Sequence, residues 1–278
     1  MKPSDAQDLD RPSGGDFVRA LAKGLAVIES FDAKSPAMTL SDVARRTRLS
    51  RGTARRLLLT LVDLGYCGFD GKLFSLRPRA LNLGFAYLHS QNLWQLAQPY
   101  MVELVERVHE SCSIAVLDGT DVVYVARVPT AARIMSINLG LGTRLPAFAT
   151  SMGRMLLASL PADQLERLLI QASPLPAYTA KSITEHGALL REIDAVRRQG
   201  WALVDQELET GLRSIAAPIV DSEGRAVAAL NIGTHASRWP IQKLTQEALP
   251  QLKQTAAEIS ALLTPARTRK NAKGEGEE

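Results

Sequence analysis

The sequence predicts an α+β protein of two unlike parts: a small basic module of three helices and a hairpin, then a larger domain around a mainly antiparallel sheet. Three observations predict it. Helical periodicity governs the chain up to Gly65. A hairpin signal, Tyr66 to Leu76 around Asp70-Gly71, follows directly. Beyond residue 113, strands and helices are interspersed, with hairpins as well as longer connections, as in α+β domains.

In chain order, residues 1–15 are rich in Asp, Pro and Gly with little to bury and are expected to be disordered. A helix begins near Phe17, with Leu21, Leu25, Ile28 and Phe31 at helical spacing, and the stretch from Asp32 to Pro36 breaks it. Thr39 followed by Asp42 is a capping-box start for a short helix through Arg46. Ser50 caps a second helix, in which Ala54, Leu57, Leu58, Leu61 and Leu64 form one apolar stripe and Gly65 supplies the stop.

The opposite face of that second helix carries Gly52, Arg55, Arg56 and Leu59, flanked by Arg51 and Thr53: cations and no acid. A helix fits the DNA major groove, arginine pairs in bidentate fashion with guanine or phosphate, and a glycine lets backbones come close. The competing reading is a helical hairpin with a solvated face. A solvated face usually mixes acids among its bases, and this one does not.

The hairpin is expected to turn through two residues, with strands 66–69 and 72–76. Three helices and a hairpin make a winged helix-turn-helix over residues 16–77. Lys72, near the wing tip, is placed to reach a phosphate, although an isolated surface lysine fits equally well. Pro78 opens a linker helix, 78–91, with Leu81, Phe85 and Leu88 on one side and Leu83 and Tyr87 on another, so it packs against a partner as well as joining two domains.

The larger domain covers 92–264. It opens with a helix from about Asn92 to Glu110, where Pro99 marks a candidate kink. Strands are expected over 113–118, 121–128 and 133–139, then a turn into a helix starting near Ser151, and helices over 161–170 and 189–198, the second ended by Gly200. Strands 201–205, 213–221 and 226–234 and a helix 241–263 complete the domain. The charged tail 265–278 is expected to be unstructured.

Composition narrows the function classes. The 278 residues hold no apolar run approaching the roughly 20 needed to cross a bilayer, and the polar N-terminus reads as no signal peptide, so no membrane role and a cytoplasmic location are expected. Cys67 and Cys112 make no metal-ligand spacing with each other or with the four histidines, so neither metal nor cofactor is expected. From Phe17 to Arg79 there are 12 Lys plus Arg against 5 Asp plus Glu, so of the formal net charge of +4 the rest of the chain carries −3. A basic end joined to a mildly acidic one suits a protein that grips a polyanion with one domain only.

An enzyme with a basic accessory module is the first competing class. No catalytic residues are identified for it: Ser151 lies in Ala-Thr-Ser-Met-Gly, without the leading glycine of a G-x-S-x-G elbow, and no phosphate loop or H-E-x-x-H occurs. A constitutive architectural DNA-binding protein is the second.

Four stretches, FVRALAKGLAVIESFD, RRLLLTLVDLGY, LGTRLPAFATSMGRMLLA and LVDQELETGLRSIAAP, carry a resemblance over nearly the whole span from Phe17 to Leu263. The sequence resembles the IclR family of bacterial transcription regulators, within it the subgroup controlling protocatechuate, 4-hydroxybenzoate and β-ketoadipate catabolism. The resemblance implies a GAF-like effector domain, a homodimer formed partly through the N-terminal domain and linker helix, and often a tetramer. It implies a double-stranded operator contacted by Arg51, Gly52, Thr53, Arg55 and Arg56. It also implies a small carboxylate effector held by Ser151, Met152 and Gly153, by Asp205, Leu212 and Ser214, and by Asn231 and Gly233. Activation of aromatic-acid catabolic genes is the expected output, with repression in response to another small acid as the alternative.

Chemistry supports those positions independently. Free N–H groups at a helix start attract a carboxylate, and Ser214 and Asn231 lie on separate strands with groups that bond hydroxyls. Read plainly, the same residues are a helix cap, a satisfied strand hydroxyl and a loop-bonding amide. Arg213 alternates with Ser214 along one strand, which favours a structural ion pair with an acid in DQELE over a role as effector counter-ion. Arg144 is another candidate counter-ion. Met135, Met152 and Met155 read as core, with ring contacts to the effector as the alternative. The effector is expected to change the spacing of two DNA-binding heads through the helix after Pro78.

Overall fold

In the computed structural model, which describes residues 16–90, 93–130 and 139–263, the chain divides into two units, Met1–Ser90 and Gln91–Glu278. In the first unit, α1 (Arg19–Glu29), α2 (Leu40–Thr47) and α3 (Arg51–Asp63) enclose Val27, Val43, Leu58 and Leu61. The capping box closes as its residues predict: the Asp42 N–H donates to Thr39 Oγ1 at 3.3 Å, and the Thr39 N–H donates to the Asp42 carboxylate at 3.2 Å. Ser50 accepts from the Thr53 N–H at 3.2 Å, and Gly65, at φ +79°, ends the helix pair.

Three features of this unit differ from the sequence reading. The wing strands, β2 (Cys67–Phe69) and β3 (Phe74–Leu76), are joined by four residues and not two, because the Asp70 carboxylate accepts from the N–H groups of Lys72 and Leu73 at 2.9 and 2.7 Å and wraps the loop around itself. A short strand, β1 (Ala37–Met38), lies beside the segment read as a break and pairs with β3, giving a three-stranded sheet. Leu21, Leu25 and Leu64, read at helical spacing with the core residues, are exposed; Leu81, Leu83, Phe85 and Tyr87 of α4 (Leu81–Ser90), on the helix expected to pack against a partner, are exposed in the single chain. Helical spacing marks an apolar face without saying what covers it.

The second unit opens with α5 (Leu93–Val108), which keeps Pro99 inside it. Its sheet contains β4 (Ser111–Asp118), β5 (Asp121–Val128), β6 (Arg144–Pro146), β7 (Ala202–Asp205), β8 (Leu212–Val220) and β9 (Ala226–His235). The order is β6-β5-β4-β9-β8-β7, and every pairing is antiparallel. Gly119, at φ +61°, turns β4 into β5. Strand β6 occupies a stretch read as loop.

Helices α6 (Ser151–Ala158), α7 (Ala162–Ala172) and α8 (His186–Gln199) share one core with one face of the sheet, in which Met152, Leu156, Leu165, Leu189 and Ile193 meet Ala115, Ala202, Ala216 and Ala229. Those strand alanines let α6 lie close. On the other face are α5 and the C-terminal helix, tied by Cys112 Sγ to the Met101 carbonyl and by the Val220 N–H to Ser260 Oγ. The final helix is α9 (Ile241–Lys243), a wider π turn over Leu244–Ala248, and α10 (Leu249–Ala261). Pro250 has no N–H to give the preceding turn, so the helix widens just ahead of it. The strand expected over 133–139, nearly all of it, and both expected tails lie outside the described residues.

Candidate DNA interface and small-molecule site

The face of α3 is built by its cap. Ser50 fixes the first turn, and the buried row of Ala54, Leu58 and Leu61 turns Arg51, Gly52, Arg55 and Arg56 to solvent, with Thr53 half-buried beside them. Among the described residues, Arg51, Arg55 and Arg56 have no carboxylate partner, whereas Arg45 pairs with Asp42 and Arg46 with Asp32. A Cβ on Gly52 would meet nothing within 4 Å, so the fold itself does not require a glycine there. Leu59 departs from the expectation. It is half-buried and packed on the core, not on the cationic face. Lys72 is exposed in the wing loop, next to Asp70, whose carboxyl is held below its usual range by the Leu73 and Lys72 N–H groups.

In the second unit the antiparallel register decides which residues meet. Ser214 and Ala216 face α6, so Arg213 faces α10. Asn231 sits opposite Ala216 and Gly233 opposite Ser214, and β4 continues the rows with Ser113 opposite Asn231 and Ser111 opposite Gly233. Arg127 of β5 extends the first of these rows, opposite Ser113. Leu212, half-buried, shares this face with Ser214. A Cβ on Gly233 would enter open space.

The polar atoms along these rows are mostly donors. Asn231 Oδ1 accepts from the Ser113 N–H at 3.0 Å, which leaves the amide NH₂ as the group facing away. Arg127 Nη1 donates to Ser113 Oγ at 3.1 Å, and the Ser214 hydroxyl has no partner among the described residues. No strand residue on this face is acidic.

Asp205 is a correction. It sits opposite Arg213 in the ladder, so its carboxylate lies on the face away from Ser214, bonded to Arg213 at 2.7 Å and Lys181 at 2.6 Å. Burial alone would raise its pKa, but these two cations hold it below the usual carboxylate range. The structural role expected for Arg213 is thus the one observed. Its guanidinium also donates to the carbonyls of Ala236 and Trp239. Arg144 is likewise occupied, by Asp118 and Asp121 at an exposed hairpin tip.

The start of α6 is capped by Thr150, not Ser151. Thr150 Oγ1 accepts from the Gly153 N–H at 3.2 Å, so Gly153 has no N–H to offer a ligand. Its lack of a side chain serves packing, since a Cβ would lie 2.1 Å from the Ala147 carbonyl oxygen. The N–H groups of Ser151 and Met152 have no partner among the described residues, and neither does the buried Ser151 hydroxyl. The Met152 side chain is fully buried in the core.

Sequence reasoning missed Arg127 and the Arg154–Glu207 pair. The signal for Arg127 was a single cation inside the apolar strand Val-Val-Tyr-Val-Ala-Arg-Val. Arg154 offered none, because a helical arginine reads as exposed until its acid is located.

A winged helix-turn-helix in one unit and a helix-covered sheet with a donor-lined face in the other define a class, the DNA-binding regulator with a separate sensing domain. Residues 20–71 match the IclR helix-turn-helix domain, and residues 85–261 match the family described as bacterial transcriptional regulator IclR C-terminal. The chain belongs to the IclR family of bacterial transcriptional regulators. The Pca regulon regulatory protein of Pseudomonas putida is 45% identical over 237 residues, 85% of this chain and 81% of that protein. The p-hydroxybenzoate hydroxylase transcriptional activator of Acinetobacter baylyi is 38% identical over 253 residues, 89% of this chain and 93% of that one. A solved IclR homologue from Microbacterium hydrocarbonoxydans, complexed with 4-hydroxybenzoate, superposes with a TM-score of 0.76 at 30% identity, over 88% of this chain and 98% of its own. No helix among the described residues is long and apolar enough to cross a membrane.

Proposed function

We propose that this protein activates genes for aromatic-acid catabolism, binding operator DNA through its first unit and a small carboxylate effector through its second. The observation that carries the reading is the donor-lined, acid-free sheet face beside open space at Gly233. Such a surface is suited to an anion with further hydrogen-bonding groups, and relatives named for the Pca regulon and for p-hydroxybenzoate hydroxylase activation support an acid of the protocatechuate, 4-hydroxybenzoate or β-ketoadipate type. Ser151 and Met152 contribute through backbone N–H groups, Ser214 and Asn231 through side chains, and Leu212 and Gly233 by shape.

On the DNA side, Arg51, Arg55 and Arg56 read or clamp the major groove, Gly52 admits the backbone, Thr53 orients the first turn, and Lys72 reaches a phosphate. The exposed apolar residues Leu21, Leu25, Leu81, Leu83, Phe85 and Tyr87 favour a homodimer, with a tetramer as a further assembly. Effector binding shifts the spacing of the paired DNA-binding heads only if its affinity differs between two arrangements of the oligomer. Anisotropy titration of operator duplex, with and without each acid, tests the proposal. Affinity equal to that for random duplex and unmoved by every acid would refute it.

A further inference from the structure

The two faces of the sheet treat their cations differently. On the α10 face the buried Arg213 pairs with Asp205, and Arg238 pairs with Glu110 at 2.8 Å, while the exposed Arg107 of α5 donates to Thr255 Oγ1. On the α6 face Arg127 is half-buried and bonds only the neutral Ser113 hydroxyl among the described residues. Of the described arginines in this unit that are at least partly buried, Arg154 and Arg213 have acids and Arg127 does not.

The adjoining stretch 131–138, Ala-Ala-Arg-Ile-Met-Ser-Ile-Asn, brings no acid by sequence. Burial lowers the basicity of the Arg127 guanidinium, as expected of a cation taken from water without a counter-charge. Three residues further on, Thr130 Oγ1 is also buried without a partner among the described residues. A partly desolvated guanidinium left unpaired is costly, and arginine keeps its charge where other groups would neutralise. A site with this imbalance is completed by an anion from outside.

We propose that Arg127 is the counter-ion of the effector carboxylate, receiving it beside Ser113 and Asn231. This rests on the effector reading above and deepens it by naming the group that selects acids over neutral analogues. Arg127, Ser113 and Asn231 occupy one row across three adjacent strands about 4.8 Å apart, so a carboxylate on Arg127 and a ring substituent near Gly233 lie within the span of one small molecule. Arginine forks onto a carboxylate through two parallel N–H bonds, and with Nη1 already on Ser113, the rest of the fork has no partner among the described residues.

Calorimetry on the full-length chain tests this with protocatechuate, 4-hydroxybenzoate and β-ketoadipate, and with the primary amide of whichever acid binds. Arg127→Gln is expected to weaken the acid by about 100-fold, leave the amide within about threefold, and melt at or above the wild-type temperature with operator binding retained. Arg127→Lys, which keeps charge and stem but not the fork, is expected to lose about tenfold on the acid alone, and it carries the test if Arg127→Gln does not fold. Unchanged acid affinity in either variant, or equal losses for acid and amide, overturns the assignment of Arg127. Wild-type protein that binds none of the acids overturns the effector reading and this proposal together.

Discussion

Arg154 of α6 and Glu207 of the loop between β7 and β8 form a two-pronged ion pair with side-chain exposures of 2% and 10%. The Arg154 Nε–H also donates to the Phe148 carbonyl at 3.1 Å, while Thr179 and Ser182 bond the backbone of Gln206 and Glu207. The pair therefore fastens the first turns of α6, with their free N–H groups, to the loop that leads into Leu212 and Ser214. Glu207→Gln leaves a buried guanidinium with no counter-charge and is expected to cost about 3–5 kcal/mol. Arg154→Met together with Glu207→Leu, which removes both charges, is expected to cost less. Urea denaturation of the two variants decides it, and equal stability would show that the pair is not coupled.

Replacing both Arg55 and Arg56 with alanine is expected to abolish operator binding while effector calorimetry and the melting temperature stay as in the wild type. Both side chains point to solvent and pair with no acid among the described residues, so the fold does not depend on them. Lys72→Ala is expected to act differently, weakening binding to all duplexes alike and reducing the slope of log affinity against log salt by about 1.

Gly52→Ala separates stability from recognition. A methyl there meets nothing in the protein, and alanine is favoured over glycine in a helix by up to about 1 kcal/mol. The variant is expected to melt at or above the wild-type temperature and to bind operator more weakly. Unimpaired binding would place Gly52 away from the DNA.

Gly153 and Gly233 have opposite surroundings: a Cβ on the first would meet the Ala147 backbone and one on the second nothing within 4 Å. Gly153→Ala collides with the Ala147 backbone and is expected to destabilise by about 1–3 kcal/mol or more, seen in denaturation. Gly233→Val enters open space and is expected to preserve the melting temperature while abolishing effector binding, seen in calorimetry.

Asp205 predicts a pH dependence. Its folded pKa is depressed, so the stability it contributes is fully present above its unfolded value near 3.9 and is lost as pH falls through the lower folded value. Asp205→Asn is expected to be less stable than wild type at pH 7, with the gap narrowing below about pH 4. Denaturation from pH 7 to pH 3 measures it. A gap that holds constant to pH 3 would mean that Asp205 bears no net ionic contribution.

Much of the first unit was legible because its signals are local. A hydroxyl and a carboxylate three residues apart announced α2, Ser50 announced α3, and the spacing of Ala54, Leu58 and Leu61 fixed which face Arg55 and Arg56 occupy. The four-residue wing loop was less legible, since Asp70 overrides the usual Asp-Gly turn with its own side chain. In the second unit the strands were visible from their β-branched residues, but strand β6 was not, because it depends on β5, a partner remote in sequence, and the Thr150 cap was obscured by Ser151, a second hydroxyl beside it that suits a cap equally well.

The chain's order of residues determined that there would be a cationic helix without acids and a later set of strands bearing Ser113, Arg127, Ser214 and Asn231, since periodicity, caps and alternation are properties of neighbours along the chain. Which of those strands lie side by side was decided only by folding. Register across the sheet carried Asp205 to the face of Arg213 and left Arg127 on the opposite face beside Ser113 without an acid among the described residues, while packing of α6 on the sheet gave Arg154 to Glu207. Pairing of charges is a matter of distance in space, which a linear spacing does not contain.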